Sequence, residues 1–308
     1  MVPTVAPSLG APQTEPRRQA EEHGSLGSPM GLTVPHEWWG APALLKSFDA
    51  AGFTWVQLDA PPPSVLARAE QRRAHAAALT GALEGTRLTP VVHAPPGLRL
   101  GSAPGDAAFE GLLCYAAEVG APQVVYHALA LVDEPGSAEP LRREAVSLGR
   151  QAWLAERLEV VIALENLAPP YPGPDPIAAS PLSLRGLTLR TGSGAVGICL
   201  DIGHAHIVAD LRHTSLASLV EPVADLVTLV HLHDNLGARL CAAADAAIGV
   251  DPLRLDLHLA PGMGTMPPEE AAAVISGQAW PVVLEVHPPH RPSPAELFAA
   301  TAGALSGY

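Results

Sequence analysis

Short, nearly unbroken apolar runs alternate along this chain with longer stretches rich in Ala, Leu, Arg and Glu. The runs are GLTVPH (31–36), FTWVQLD (53–59), LTPVVH (88–93), QVVYH (123–127), VVIALE (160–165), VGICLD (196–201), VTLVHLH (227–233) and PVVLEVH (281–287). They lack the polar–apolar alternation of a half-exposed strand, and so predict strands buried on both faces of a parallel sheet. The stretches between them predict helices near 41–51, 64–83, 106–119, 137–157, 176–190, 205–225, 267–277 and 293–304. Eight β units alternating with eight α units predict a single closed (β/α)8 TIM barrel rather than an open doubly wound sheet. No G-x-G-x-x-G or phosphate-binding loop follows any run, so a nucleotide fold has no support.

Residues 1–30 break the pattern. They are rich in Pro, Gly, Ser and charge, as in PSLGAPQTEPRRQAEEHGSLGSP, and lack the apolar core of a signal peptide. This stretch predicts a disordered tail, leaving residues 31–308 for the barrel. A length of 308 residues, 48% of them hydrophobic, suits one large domain. No apolar stretch approaches the roughly 20 residues that span a bilayer. Cys114, Cys199 and Cys241 share no C-x-x-C spacing, which argues against a disulfide framework or thiolate zinc and suits a reducing cytoplasm. The formal net charge is −13, with only 18 Lys and Arg and no dense basic run. That weighs against a nucleic-acid partner.

The chemistry lies at the ends of the runs. Nine potential metal ligands stand at or just beyond them: His93, His127, Glu165, Asp201, His204, His231, Asp256, His258 and Glu285. Barrel active sites form at the C-terminal face, where these ends meet. Glu165, Asp201, His231 and Glu285 close four successive runs and aim three carboxylates and one imidazole at a common point. Such a set suits Mn²⁺, Mg²⁺, Co²⁺ or Zn²⁺ with positions left open for substrate oxygens. His93 and His127 end neighbouring runs and are placed to share one ion. His204 follows Asp201 by three residues at a strand-to-helix turn, which puts both over one pocket. Asp256 and His258 form a D-x-H pair, and the PGMG after it permits a tight loop over the barrel mouth. His206 and His233 lie two residues from stronger candidates and read as partners that orient a ligand, or as rim histidines. His36, Trp38, Trp39, His287 and His290 read as surface or packing residues ahead of pocket lining.

The segments VVHAP, VVYH, ALEN, CLDIGHAH, VHLHDN, DLHLAPGMG and VLEVH, in this order, resemble the xylose-isomerase-like barrels across about residues 31–304. That superfamily includes the sugar isomerases and epimerases and the endonuclease IV-like group, also called AP endonuclease family 2. Likeness to the isomerases implies one divalent metal on Glu165, Asp201, His231 and Glu285, with the two glutamates as an acid/base pair. It also implies that His204 touches a small sugar or sugar phosphate. Likeness to endonuclease IV implies three zinc ions acting on a phosphodiester. His93, His127 and Glu165 would hold the first; Glu165, Asp201, His231 and Glu285 the second; His204, Asp256 and His258 the third. The chain departs from that second pattern in two places. APPGLRLG after His93 has no Tyr, Phe or Trp, and Met263 stands where the G-E-G loop is acidic. The resemblance leaves both activities open, with one to three ions, and the sequence favours the isomerase or epimerase.

Overall fold

The computed structural model describes residues 28–34, 41–170, 173–239 and 254–306. Eight parallel strands close into a barrel in sequence order: β1 (Met30–Val34), β2 (Trp55–Asp59), β3 (Thr89–His93), β4 (Gln123–Tyr126), β5 (Val161–Glu165), β6 (Val196–Asp201), β7 (Val227–Leu232) and β8 (Val282–Leu284). Helices α1 (Pro42–Ala51), α2 (Pro63–Leu66), α3 (Ala69–Leu83), α4 (Ala103–Val119), α5 (Ala138–Leu158), α6 (Pro181–Thr191), α7 (Ile202–Leu211), α8 (Leu216–Val220), α9 (Pro268–Ile275) and α10 (Pro294–Ser306) fill the connections. The predicted (β/α)8 barrel is therefore observed, with neighbouring strands consecutive in the sequence. Among the described residues, no helix is long and apolar enough to cross a membrane.

The continuous hydrophobicity of the strands has a simple cause. One set of side chains, including Leu32, Leu58, Val92, Leu164 and Leu284, is buried with the helical layer in the main core. The other set points inward, where Val91, Val125, Ala163, Cys199, Leu229 and Val283 form a second, separate cluster packed by Trp55. Side chains repeat every two residues on one strand face. Two positions further along each of these strands stand His93, His127, Glu165, Asp201, His231 and Glu285, with Gln57 two beyond Trp55. The apolar layer is thus the floor on which a polar layer sits.

Some predicted helices differ from those observed. The stretch 64–83 is two helices, because Arg68 is extended (φ −112°, ψ 104°). The break lets α2 press against α4, where a Cβ on Gly111 would lie 2.3 Å from the Leu66 carbonyl oxygen. The stretch 205–225 is α7, α8 and a 3-10 turn over Glu221–Leu226. His213 turns left-handed (φ 50°) between them, and Ser215 caps α8 by accepting from the Ser218 amide at 3.2 Å. The predicted tail reaches too far, since β1 begins at Met30 and the Ser28 hydroxyl donates to the Gln278 carbonyl. Tail residues 1–27, together with His36, Trp38, Trp39 and Cys241, lie outside the described residues.

Candidate metal centre

All nine strand-end candidates converge at the C-terminal mouth. Their donor atoms form three groups, each with every atom within 4.8 Å of the others: His93, His127 and Glu165; Glu165, Asp201, His231 and Glu285; and His204, His233, Asp256 and His258. The structure adds His233, which the sequence suggests as an orienting partner or a rim histidine, to the third group.

Glu165 joins the first two groups. Its Oε2 lies 3.1 Å from His93 Nε2 and 3.0 Å from His127 Nε2, while Oε1 lies 3.4 Å from His231 Nδ1. Asp201 ends β6 and caps α7, its Oδ1 accepting from the His204 amide at 2.7 Å. Asn166, next to Glu165, clamps the same corner. Its Oδ1 accepts from the Asp201 amide at 2.8 Å, and its Nδ2 donates to the Asp201 carbonyl at 2.8 Å. Gln57 on β2 is 1% exposed and donates through Nε2 to Glu285 Oε1. An ionised carboxylate only accepts, so Gln57 turns its oxygen the other way, 2.7 Å from His231 Nε2. His231 thus donates through Nε2 and turns Nδ1 to Glu165 Oε1, the nitrogen that is free to ligate a metal once it sheds its proton.

The same commitment recurs. His93 Nδ1 meets the Ala94 carbonyl at 2.9 Å, His204 Nδ1 the Asn166 carbonyl at 2.7 Å, and His258 Nδ1 the Glu285 carbonyl at 2.7 Å. A carbonyl can only accept, so each ring donates there and turns its other nitrogen toward a carboxylate of the cluster, the nitrogen that is free to ligate a metal once it sheds its proton. This arrangement fixes a metal-ligating tautomer. Asp201 Oδ2 is fully buried, and among the described residues it has no aligned hydrogen-bond partner. A cation would satisfy that oxygen, which otherwise has only the His204 and His231 rings at 3.6 and 3.8 Å to offset its burial. The donor sets and this orphaned oxygen fit a divalent metal ion.

The electrostatics follow from the crowding. Burial would raise the Glu165 pKa, but the imidazoles of His127 and His231 overcome it and hold the carboxyl well below its usual range. Asp256 is likewise lowered against burial by His258 and His204. Burial would lower His93, yet the hydrogen bond and charge of Glu165 raise it to about 9. His258 rises to about 9 against burial through Asp256. Protons on the imidazoles and a metal cation are alternative sources of the same compensating charge.

A cavity of about 480 Å³ opens over the cluster, lined among others by His93, His127, Glu165, Asp256, His258 and Glu285. His287, for which the sequence favours a surface or packing role ahead of pocket lining, does line it and stacks on His258 at 4.5 Å. His206 stands apart from the three groups, 3.3 Å from the Thr265 hydroxyl. The predicted loop is present. Asp234 gathers it, its Oδ2 accepting from the amides of Gly262 (3.0 Å) and Gly264 (2.9 Å) and its Oδ1 from Met266 (3.1 Å). Gln57, Asn166 and Asp234 were not anticipated. The only sequence signal was a polar residue inside or against an apolar run.

No curated protein matches the sequence. Among solved structures, a D-tagatose 3-epimerase-like protein superposes with a TM-score of 0.66 at 19% identity, covering 90% of this chain and 97% of its own. A Methylomonas sp. D-allulose 3-epimerase in complex with D-allulose gives 0.64 at 14% identity, covering 92% and 96%. The IolI protein with a bound zinc atom gives 0.63 at 16%, covering 91% and 99%. These likenesses establish the shared fold. A family profile described as xylose isomerase-like TIM barrel matches residues 45–305, and the chain belongs to that family.

Proposed function

We propose that the protein is a divalent-metal-dependent isomerase or epimerase of a small sugar or sugar phosphate. The observation that carries this reading is the convergence of Glu165, Asp201, His231 and Glu285 from four consecutive strands, with both glutamates lining one cavity. The names of the structural neighbours support the substrate class. These four residues would hold the ion, which when bound polarises a carbonyl and its neighbouring hydroxyl and lowers the cost of an enediolate. Glu165 and Glu285 approach the substrate from different strands. One removes the proton beside the carbonyl and the other returns it. Asp201 and His231, fully buried, hold the ion and stay clear of the proton path. His204, implied by resemblance as a substrate contact, faces Asp256 at 3.5 Å and is assigned to the third group.

A second reading has its own support. Glu165 is shared between two groups and a third group stands beside them, the layout implied by likeness to a trinuclear zinc phosphodiesterase. The test sets the activities side by side. Metal-loaded protein is incubated in D₂O with a panel of ketoses and their phosphates, and separately with an abasic-site duplex. Deuterium entering the carbon beside the sugar carbonyl supports the isomerase. Strand cleavage without exchange overturns it.

A further inference from the structure

We propose that His233 completes a closed four-donor cation site with His204, Asp256 and His258, and that this ion braces the β7–α9 loop and does not meet the substrate. The inference rests on the reading of the protein as a divalent-metal binder.

His233 is completely buried. Its Nε2 and Asp256 Oδ1 lie 3.8 Å apart, and among the described residues neither has an aligned hydrogen-bond partner. Across the same space, His258 Nε2 and His204 Nε2 lie 3.1 and 3.5 Å from Asp256 Oδ2. The Nδ1 of each of these two rings is committed to a backbone carbonyl. Three imidazoles and one carboxylate therefore surround a single point, each ring turning toward it one nitrogen that ligates a metal once deprotonated. That donor set suits tetrahedral Zn²⁺ or Co²⁺.

The backbone is shaped around this arrangement. A Cβ on Gly203 would lie 2.2 Å from the His233 ring, so the residue before His204 gives up its side chain to admit His233. His258 occupies the left-handed region (φ 50°), which a non-glycine residue holds only when its surroundings impose it. The four donors come from β7's end, α7 and the loop, so one ion ties the loop to the barrel wall. In tetrahedral coordination a fourth protein donor fills the position that a phosphate oxygen would take. A closed third ion weighs against the phosphodiesterase reading.

His233 Nε2 also lies 3.1 Å from Asp201 Oδ1, so the competing role is partner to Asp201 alone. The probe is Co²⁺, added to chelated full-length protein and followed by visible absorption and bound equivalents. The wild type is expected to show the intense bands of four-coordinate cobalt. His233→Ala is expected to lose those bands and bind that equivalent at least tenfold more weakly, while keeping the remaining cobalt. Asp256→Asn, on the loop, should lose the same bands and serves if His233→Ala does not fold. Cobalt bound with bands and equivalents unchanged in folded His233→Ala, whatever Asp256→Asn shows, overturns the closed site and leaves the metal-dependent reading standing. No cobalt bound by the wild type overturns both.

Discussion

His231 on β7 donates through Nε2 to Gln57 Oε1 on β2 at 2.7 Å, although the two strands are not neighbours in the sheet. The same amide reaches Glu285, so one side chain orients two of the four central donors. Gln57→Leu keeps the volume and removes both contacts. Metal affinity is expected to fall about 10–100-fold, as for other residues that orient ligands from behind. Competition against a chelating dye measures it, with the far-ultraviolet circular dichroism unchanged.

The loop carrying Asp256 and His258 depends on Gly264. A Cβ there would lie 2.1 Å from the Asn235 carbonyl oxygen and 2.3 Å from Asp234 Oδ1. Gly264→Ala is expected to cost about 1–3 kcal/mol, the usual range for forced overpacking. Urea unfolding gives that figure. The neighbouring Met263 is 42% exposed, and Met263→Ala should change stability by less than about 0.5 kcal/mol.

Proton linkage gives a third expectation. His93 and His258 are raised from 6.5 to about 9 by Glu165 and Asp256, against the effect of burial. A folded pKa above the unfolded one contributes stability that is complete below pH 6.5 and lost as the pH rises through 9. Chelated protein should therefore lose thermal stability across that window. Metal affinity should rise across it, because the ligands must shed their protons. Melting curves with chelator and with Zn²⁺ should diverge as pH increases; parallel curves would contradict this charge balance.

Glu165→Gln and Glu285→Gln should each lower solvent-deuterium exchange into the substrate by about 10²–10⁴-fold, the range for a general acid or base. Glu165→Gln should also weaken metal binding, because that residue belongs to two donor groups. Full exchange in both variants would remove the glutamate pair from the mechanism.

Much of this arrangement was legible in the sequence because two periodicities coincide there. A strand face repeats every second residue, so VVH, VVYH, IALE and ICLD each place a ligand two positions beyond an inward apolar side chain. The closed barrel is legible in the alternation of eight runs with eight helical stretches. Gln57 did not stand out, because one polar residue within WVQLD has no partner at a readable spacing. His233 was visible as a histidine, but its place beside Asp256 depends on a loop that returns across the mouth. The helix breaks after Leu66 and Leu211 depend on packing against α4 and on the left-handed His213, neither of which leaves a periodic trace.

The proposed reaction requires that Glu165, Asp201, His231 and Glu285 hold a divalent cation. The direct measurement is elemental analysis of wild type and an Asp201→Asn, His231→Ala double variant. Both are incubated with Zn²⁺ or Mn²⁺ and desalted. At least one tightly held ion per chain in the wild type, and one fewer in the folded double variant, is the predicted result. A wild type without a stoichiometric ion, or a double variant with the same content, would contradict the account.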